Sequence, residues 1–233
     1  PYTTLFRSDI INSNYYKEDN LERYLNYDKD NIVLNVNMYL DYEFYNHDIN
    51  IDKVDNLVIV NKYYKLDSNY IPELVNIDSK YAINNYQMLT SDAKDAFEEM
   101  CADARDDNIY IYSGSSYRSY TYQDNLYKVR VYTEGIDYAD STAARAGYSE
   151  HQTGLALDIV NKNMEYLSED DIEYKWLINN SYKYGFILRY PEDKEDITGY
   201  SYEPWHFRYI SVEIASYLKN NNITYDEYIG MNL

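Results

Sequence analysis

Between Thr90 and Arg105 the apolar side chains Ala93, Ala96, Phe97, Met100, Cys101 and Ala104 recur three and four positions apart, which lines them along one face of a helix. Such a stripe is stable only against a partner surface, so the rest of the chain must supply a core to receive it. Ser91 is the expected N-cap, with Asp92 in the first turn. Segments rich in β-branched and aromatic residues predict strands at Ile109–Ser113, Leu155–Val160, Phe186–Tyr190 and Trp205–Ile210. Helical stretches are expected at Ser119–Val131, Asp170–Tyr184, Ser211–Asn221 and Thr224–Ile229, the second of them with Ile172, Trp176 and Leu177 turned inward. Gly114 reads as a turn, Gly185 as the left-handed residue that ends a helix, and Pro191 as part of a polar loop. Strands and helices alternate irregularly, without the Gly-rich strand-to-helix turn of a dinucleotide fold. The pattern predicts an α+β fold, a small antiparallel sheet flanked by helices.

The 233 residues are enough to bury a sizeable core, and 33 Tyr, 5 Phe and 2 Trp are too much core-forming material for a disordered acidic chain. Acidic residues outnumber basic ones 40 to 21, a net charge of −19, which disfavours nucleic acid and anionic lipid surfaces as partners. The single cysteine, Cys101, excludes an internal disulfide and a multi-cysteine zinc cluster; its place on the helical stripe reads as a small buried hydrophobe. No apolar run approaches the roughly 18 residues of a membrane-spanning helix.

The N-terminus differs in composition from the rest of the chain. Residues 1–8, PYTTLFRS, contain no acid and no Asn, whereas the next stretch is dense in Asn, Asp, Tyr and Lys. The octapeptide resembles a translated sequencing-library adapter and is expected to be non-native, with the natural start, including any leader or membrane anchor, lost upstream of Asp9. Residues 9–56 read as an N-terminal appendage with a helix around Leu21–Tyr27 and strand-like alternation over Ile32–Tyr39. The apolar run Leu57–Val60 opens the main domain, residues 57–233. There is no internal repeat and no Gly/Ser linker.

Two segments carry chemistry. In Ser149-Glu150-His151-Gln152-Thr153-Gly154-Leu155-Ala156-Leu157-Asp158 a His and an Asp stand seven positions apart across a glycine, so the chain can turn at Gly154 and return as a strand. With a period of two, Ala156 and Asp158 share one face of that strand and Leu155 and Leu157 the other. In Glu203-Pro204-Trp205-His206 a second His follows a carboxylate by three residues, and Pro204 argues against a helix interior. Two imidazoles and one carboxylate suit a zinc ion with a fourth position open to water, and Glu203 is then the candidate base. On spacing alone an equal reading is that His151 and His206 are unrelated, one a loop residue and the other a satisfied core histidine.

Further strings stand in one order: Ser113-Gly114-Ser115-Ser116-Tyr117-Arg118-Ser119-Tyr120 with Gln123, then Ser149 through Asp158, then Gly185-Phe186-Ile187-Leu188-Arg189-Tyr190-Pro191, then Glu203 through Tyr209. From about Leu57 to Ile229 the chain resembles the VanY-like D-alanyl-D-alanine carboxypeptidases, a zinc peptidase family that includes L,D-carboxypeptidases of cell-wall peptides. The resemblance implies that His151, Asp158 and His206 hold zinc, with the site on the sheet face, and that Glu203 is the general base and later the proton donor. It places Arg118 at the substrate, against a terminal carboxylate or the developing oxyanion, and implies substrate contacts for Gln123 and Ser149. Those two could equally cap a helix or brace a loop. Trp205 is expected to fix its strand or to line the cleft, and His47, which matches no motif, to be a surface residue. Ala146, where family members often carry Pro, and an extra Ser in Ser113–Tyr117 bear on loops around the pocket. The implied function is removal of the C-terminal D-alanine from peptidoglycan stem peptides by an exported, extracellular or cell-envelope enzyme, expected to be a monomer. The alternatives are an L,D-carboxypeptidase acting on the tetrapeptide stem and a non-catalytic zinc-containing cell-wall binding module.

Overall fold

The structure, a computed structural model, describes residues 10–14, 16–21, 33 and 47–232. Residues 1–8 lie outside it, as do the helix expected around Leu21–Tyr27 and the alternation over Ile32–Tyr39, apart from Leu21 and Val33. His47 belongs to a two-residue strand that pairs in parallel with Tyr64–Lys65.

The striped segment forms helix α1, Ser91–Asp106, and buries Ala93, Phe97, Met100, Cys101 and Ala104, with Ala96 half-buried beside them. Its N-cap is Thr90 rather than Ser91: the Thr90 backbone is extended, its N–H donates to Gly154 O at 2.9 Å, and its carbonyl accepts the first helical bond from Lys94 N–H at 2.9 Å. The receiving surface is a sheet of four strands, β1 (Tyr112–Ser115), β2 (Ala156–Val160), β3 (Phe186–Leu188) and β4 (His206–Tyr209), in the spatial order β1-β2-β4-β3 with every pair antiparallel. Alternation sorts its side chains onto two faces. Leu157, Ile159, Phe186 and Phe207 join the core with α1, where Phe97 meets Phe186 edge-on at 6.3 Å. Each such side chain, buried completely, contributes roughly 1.5–3 kcal/mol.

The opposite face carries polar chemistry, and the ladder register decides which residues meet there. Asp158 stands across from His206, and Ala156 across from Arg208. Ser115 pairs with Asp158 on the other side, past an irregularity between Ser113 and Ser115. Gly114 sits at that irregularity inside β1 and makes no turn; a Cβ there would lie 2.5 Å from Val160 Cγ1, so close approach of two strands requires the glycine. β1 begins at Tyr112, later than Ile109, because the Ile109 N–H still donates to Ala104 O at 2.8 Å and closes the end of α1. Leu57–Val60 buries Val58 and Val60 without joining a ladder.

Longer helices complete the layers among the described residues: α2 (Tyr120–Glu134), α3 (Ile136–Thr142), α4 (Ile172–Asn180), α5 (Val212–Asn221) and α6 (Tyr225–Asn232). Ser119 and Ser211 cap α2 and α5, each hydroxyl accepting a backbone N–H at 3.2 Å. The sequence pattern does not predict α3, a short helix that follows Gly135. α4 is shorter than expected, passing at Ser181–Tyr184 into a 3-10 turn that ends on left-handed Gly185 at φ +82°. Leu177 is fully buried and Trp176 packs on the core, but Ile172 is 59% exposed. Glu173, four residues before Leu177, takes the inward position instead. β3 stops at Leu188, ahead of the expected Tyr190, and the chain turns into the Pro191 loop.

Candidate active site

Gly154 joins the 3-10 turn Glu150–Thr153 to β2. Its φ of +69° favours glycine, and a Cβ would stand 2.9 Å from Leu74 Cδ2. This turn swings His151 back over the sheet face that presents Asp158, while β4 brings His206 alongside through the ladder. The three ligand-type atoms all lie within 4.8 Å of one another and all three residues are buried. His151 Nε2 is 3.4 Å from Asp158 Oδ1, and His206 Nδ1 is 3.2 Å from the same oxygen. Asp158 Oδ1 is nevertheless buried without a hydrogen-bond donor. The backs of the rings are engaged: His151 Nδ1 donates to Ser116 O at 2.7 Å, and His206 Nε2 faces Glu150 Oε2 at 3.4 Å. An orphaned carboxylate oxygen with one nitrogen from each of two imidazoles turned toward it fits a divalent, nitrogen-and-oxygen-binding cation such as zinc.

Glu203 completes the cluster, its Oε2 3.6 Å from His206 Nδ1. Burial pushes the Glu203 carboxyl up to about 7; the nearby His206 works against the shift and Asp158 works with it. Burial also disfavours charge on His151 and, with the Arg118 guanidinium close by, holds it down to about 4, so that ring is neutral. His206 goes the other way. Burial opposes its charge, but the carboxylates of Asp158 and Glu150 outweigh that and push it up to about 9. A +2 charge among these groups would expel the proton from His206 Nδ1 and draw Glu203 back down, leaving a ligand set and a carboxylate base.

A cavity of about 310 Å³ opens over the cluster. Arg118 donates through Nη2 to Asp158 Oδ2 and through Nε to Ser115 Oγ at 2.9 Å, so it is held beside the candidate ligand while lining the cavity. Gln123 and Ser149, also cavity residues, are buried; Gln123 donates to Ala144 O at 2.7 Å and its Oε1 has no donor. Trp205 packs on the core and lines the cavity next to Tyr166, whose ring centroid is 5.9 Å away. Residues that sequence reasoning did not single out are Glu150, Arg130 and Tyr190. Arg130, five positions before Gly135 on α2, brings a second cation to the cavity wall, and Tyr190 lies against His206 with ring centroids 4.9 Å apart. A larger groove of about 410 Å³ between α4, β3 and α5 has no histidine in its lining, so size does not locate the chemistry.

Residues 86–212 match the family described as VanY, D-alanyl-D-alanine carboxypeptidase. YodJ, a protein of Bacillus subtilis (strain 168), is 39% identical over 180 residues, 74% of this chain and 66% of its own length, so the chain spans just under two thirds of that relative. Among solved structures, the LdcB LD-carboxypeptidase superposes with a TM-score of 0.70 at 36% identity, covering 80% of this chain and 95% of that one. A vancomycin-resistance D,D-pentapeptidase VanY, solved in complex with Zn(II), gives a TM-score of 0.65 at 31% identity, covering 75% of this chain and 98% of that one.

Proposed function

The chain belongs to the VanY family of D-alanyl-D-alanine carboxypeptidases, and from that premise we propose that it is a zinc-dependent D,D-carboxypeptidase that removes the C-terminal D-alanine from peptidoglycan stem peptides. The observation that carries the proposal is the convergence of His151, Asp158 and His206 with Glu203 in one cavity. Zinc held by those three residues would supply Lewis acidity and lower the pKa of water to around 7. Glu203 accepts the proton of the attacking water and later delivers it to the leaving amine nitrogen. Its burial keeps that carboxylate weakly solvated and therefore basic. Arg118, fixed by Asp158 and Ser115, offers a positive edge to the terminal carboxylate or to the oxyanion as it forms. In a chain of net charge −19 such a local cation is needed to admit an anionic peptide end, and Arg130 adds a second at the same cavity. Gln123, Ser149 and Trp205 shape the remaining walls and contact the substrate. The place of action is the cell envelope, where this substrate lies. No helix among the described residues is long and apolar enough to cross a membrane.

A second reading is favoured by the likeness to LdcB: hydrolysis of the L,D bond that ends the tetrapeptide stem. Incubation with defined tetra- and pentapeptides, each with and without a chelator, separates the readings. Chelator-sensitive D-alanine release from the pentapeptide is the expected result. Release from the tetrapeptide alone would shift the assignment to the L,D reaction, and release from neither would leave a binding module.

A further inference from the structure

Behind the metal cluster four charged side chains are sealed from water. Glu150, Arg189, Arg208 and Asp226 are each no more than 1% exposed. Glu150 Oε1 accepts from Arg189 Nε at 2.8 Å and from Arg208 Nη1 at 2.9 Å, while its Oε2 faces His206 Nε2 at 3.4 Å. Arg189 reaches on to Asp226 in α6 through both terminal nitrogens, one of them 3.1 Å from Oδ1. Asn61 donates to the same Oδ1 at 3.1 Å. Arg208 ties the cluster to the backbone oxygens of Val58, at 2.8 Å, and Asn56, at 3.0 Å.

A buried ion cluster is weak support for stability by itself, since taking these charges out of water consumes most of what their attraction returns. Its geometry does something more specific. Both guanidinium groups hold one oxygen of Glu150, which leaves the other directed at a single atom of the metal cluster. A carboxylate opposite His206 Nε2 retains a proton there and leaves Nδ1, on the Asp158 side, as the lone-pair nitrogen.

Resting on the zinc reading above, we propose that Glu150 is a positioning residue that fixes the tautomer and ring orientation of His206, and that Asp226 acts through Arg189 to hold Glu150 in place. Helix α6 is thereby part of the metal-site support, although none of its residues lines the cavity over the cluster.

The test measures zinc affinity of folded protein against a competing chromophoric chelator, with circular dichroism as the check of folding. Glu150→Gln is expected to weaken zinc binding about 10–100-fold, the range for loss of a carboxylate behind a ligating imidazole. Asp226→Asn is expected to weaken it less, and to add little in the Glu150→Gln background, because both act on one nitrogen. A folded Glu150→Gln protein that binds zinc as tightly as the native chain overturns the proposal. Long-range proton–nitrogen NMR of the native zinc-loaded protein decides it even if the variants do not fold: the proposal requires His206 protonated at Nε2 and metallated at Nδ1, and the reverse assignment refutes it. A native chain that binds no zinc refutes the zinc reading together with this one, whereas native binding with an indifferent Glu150→Gln refutes this one alone.

Discussion

Glu203→Gln is expected to lower kcat by about 10²–10⁴-fold, the range for loss of a positioned general acid–base, and toward the upper end because one carboxylate serves both proton transfers. Glutamine keeps the size and the hydrogen-bonding shape of the side chain but cannot take a proton from water. The Glu203 side chain is 14% exposed and stands 3.6 Å from His206 Nδ1, outside the group of three residues whose ligand atoms converge. Zinc content should therefore stay at about one per chain, and KM should move little. Steady-state kinetics with metal analysis of the same sample checks this. A variant that turns over within tenfold of the native rate would remove Glu203 from the reaction, and one that loses zinc would make it a ligand.

The second large effect is expected from His206→Ala, which deletes one of three donors. Unlike a change at Glu150, it strands no buried charge, because Glu150 keeps both guanidinium partners. The sheet face survives, since Phe207 and its neighbours pack on the far side, but the remaining pair of donors cannot hold zinc tightly. Turnover should fall below detection. A ligand that binds only the folded state stabilises it by about 4 kcal/mol at a thousandfold excess over Kd, or roughly 10 °C in Tm for a domain of this size. Differential scanning fluorimetry should show an upward shift with zinc for the native chain and none for His206→Ala. Equal shifts in both proteins would mean that zinc binds elsewhere.

Much of the site is legible in the sequence because its residues lie in short stretches whose local geometry is set by one or two neighbours. Gly154 and the alternation after it place Asp158 on a face that His151 can reach; that His206 joins them is set by the register of the antiparallel ladder, which spacing alone leaves open. Helix α1 is equally legible, since its stripe is a property of the segment alone. The features that sequence reasoning misses depend on register and on distant partners. Glu150 finds Arg189 and Arg208 39 and 58 residues away, and no periodicity in one chain says that these charges meet. A signal does exist in the arginines, which interrupt the expected strand segments at Phe186–Tyr190 and Trp205–Ile210, where a solvated charge is out of place. Ile172 misleads by its apolar character, although the spacing from Leu177 selects Glu173. Gly114 reads as a turn because a glycine's use for close backbone approach leaves the same mark in sequence as its use for a bend.

The central claim is that His151, Asp158, His206 and Glu203 form one hydrolytic centre that needs one metal ion. Its most direct test is the rate of D-alanine release from a stem pentapeptide by metal-stripped protein titrated with zinc. The rate should rise in proportion to added zinc and break at one equivalent per chain. Release that is already maximal before zinc is added, or no release at one equivalent by folded protein, would contradict it.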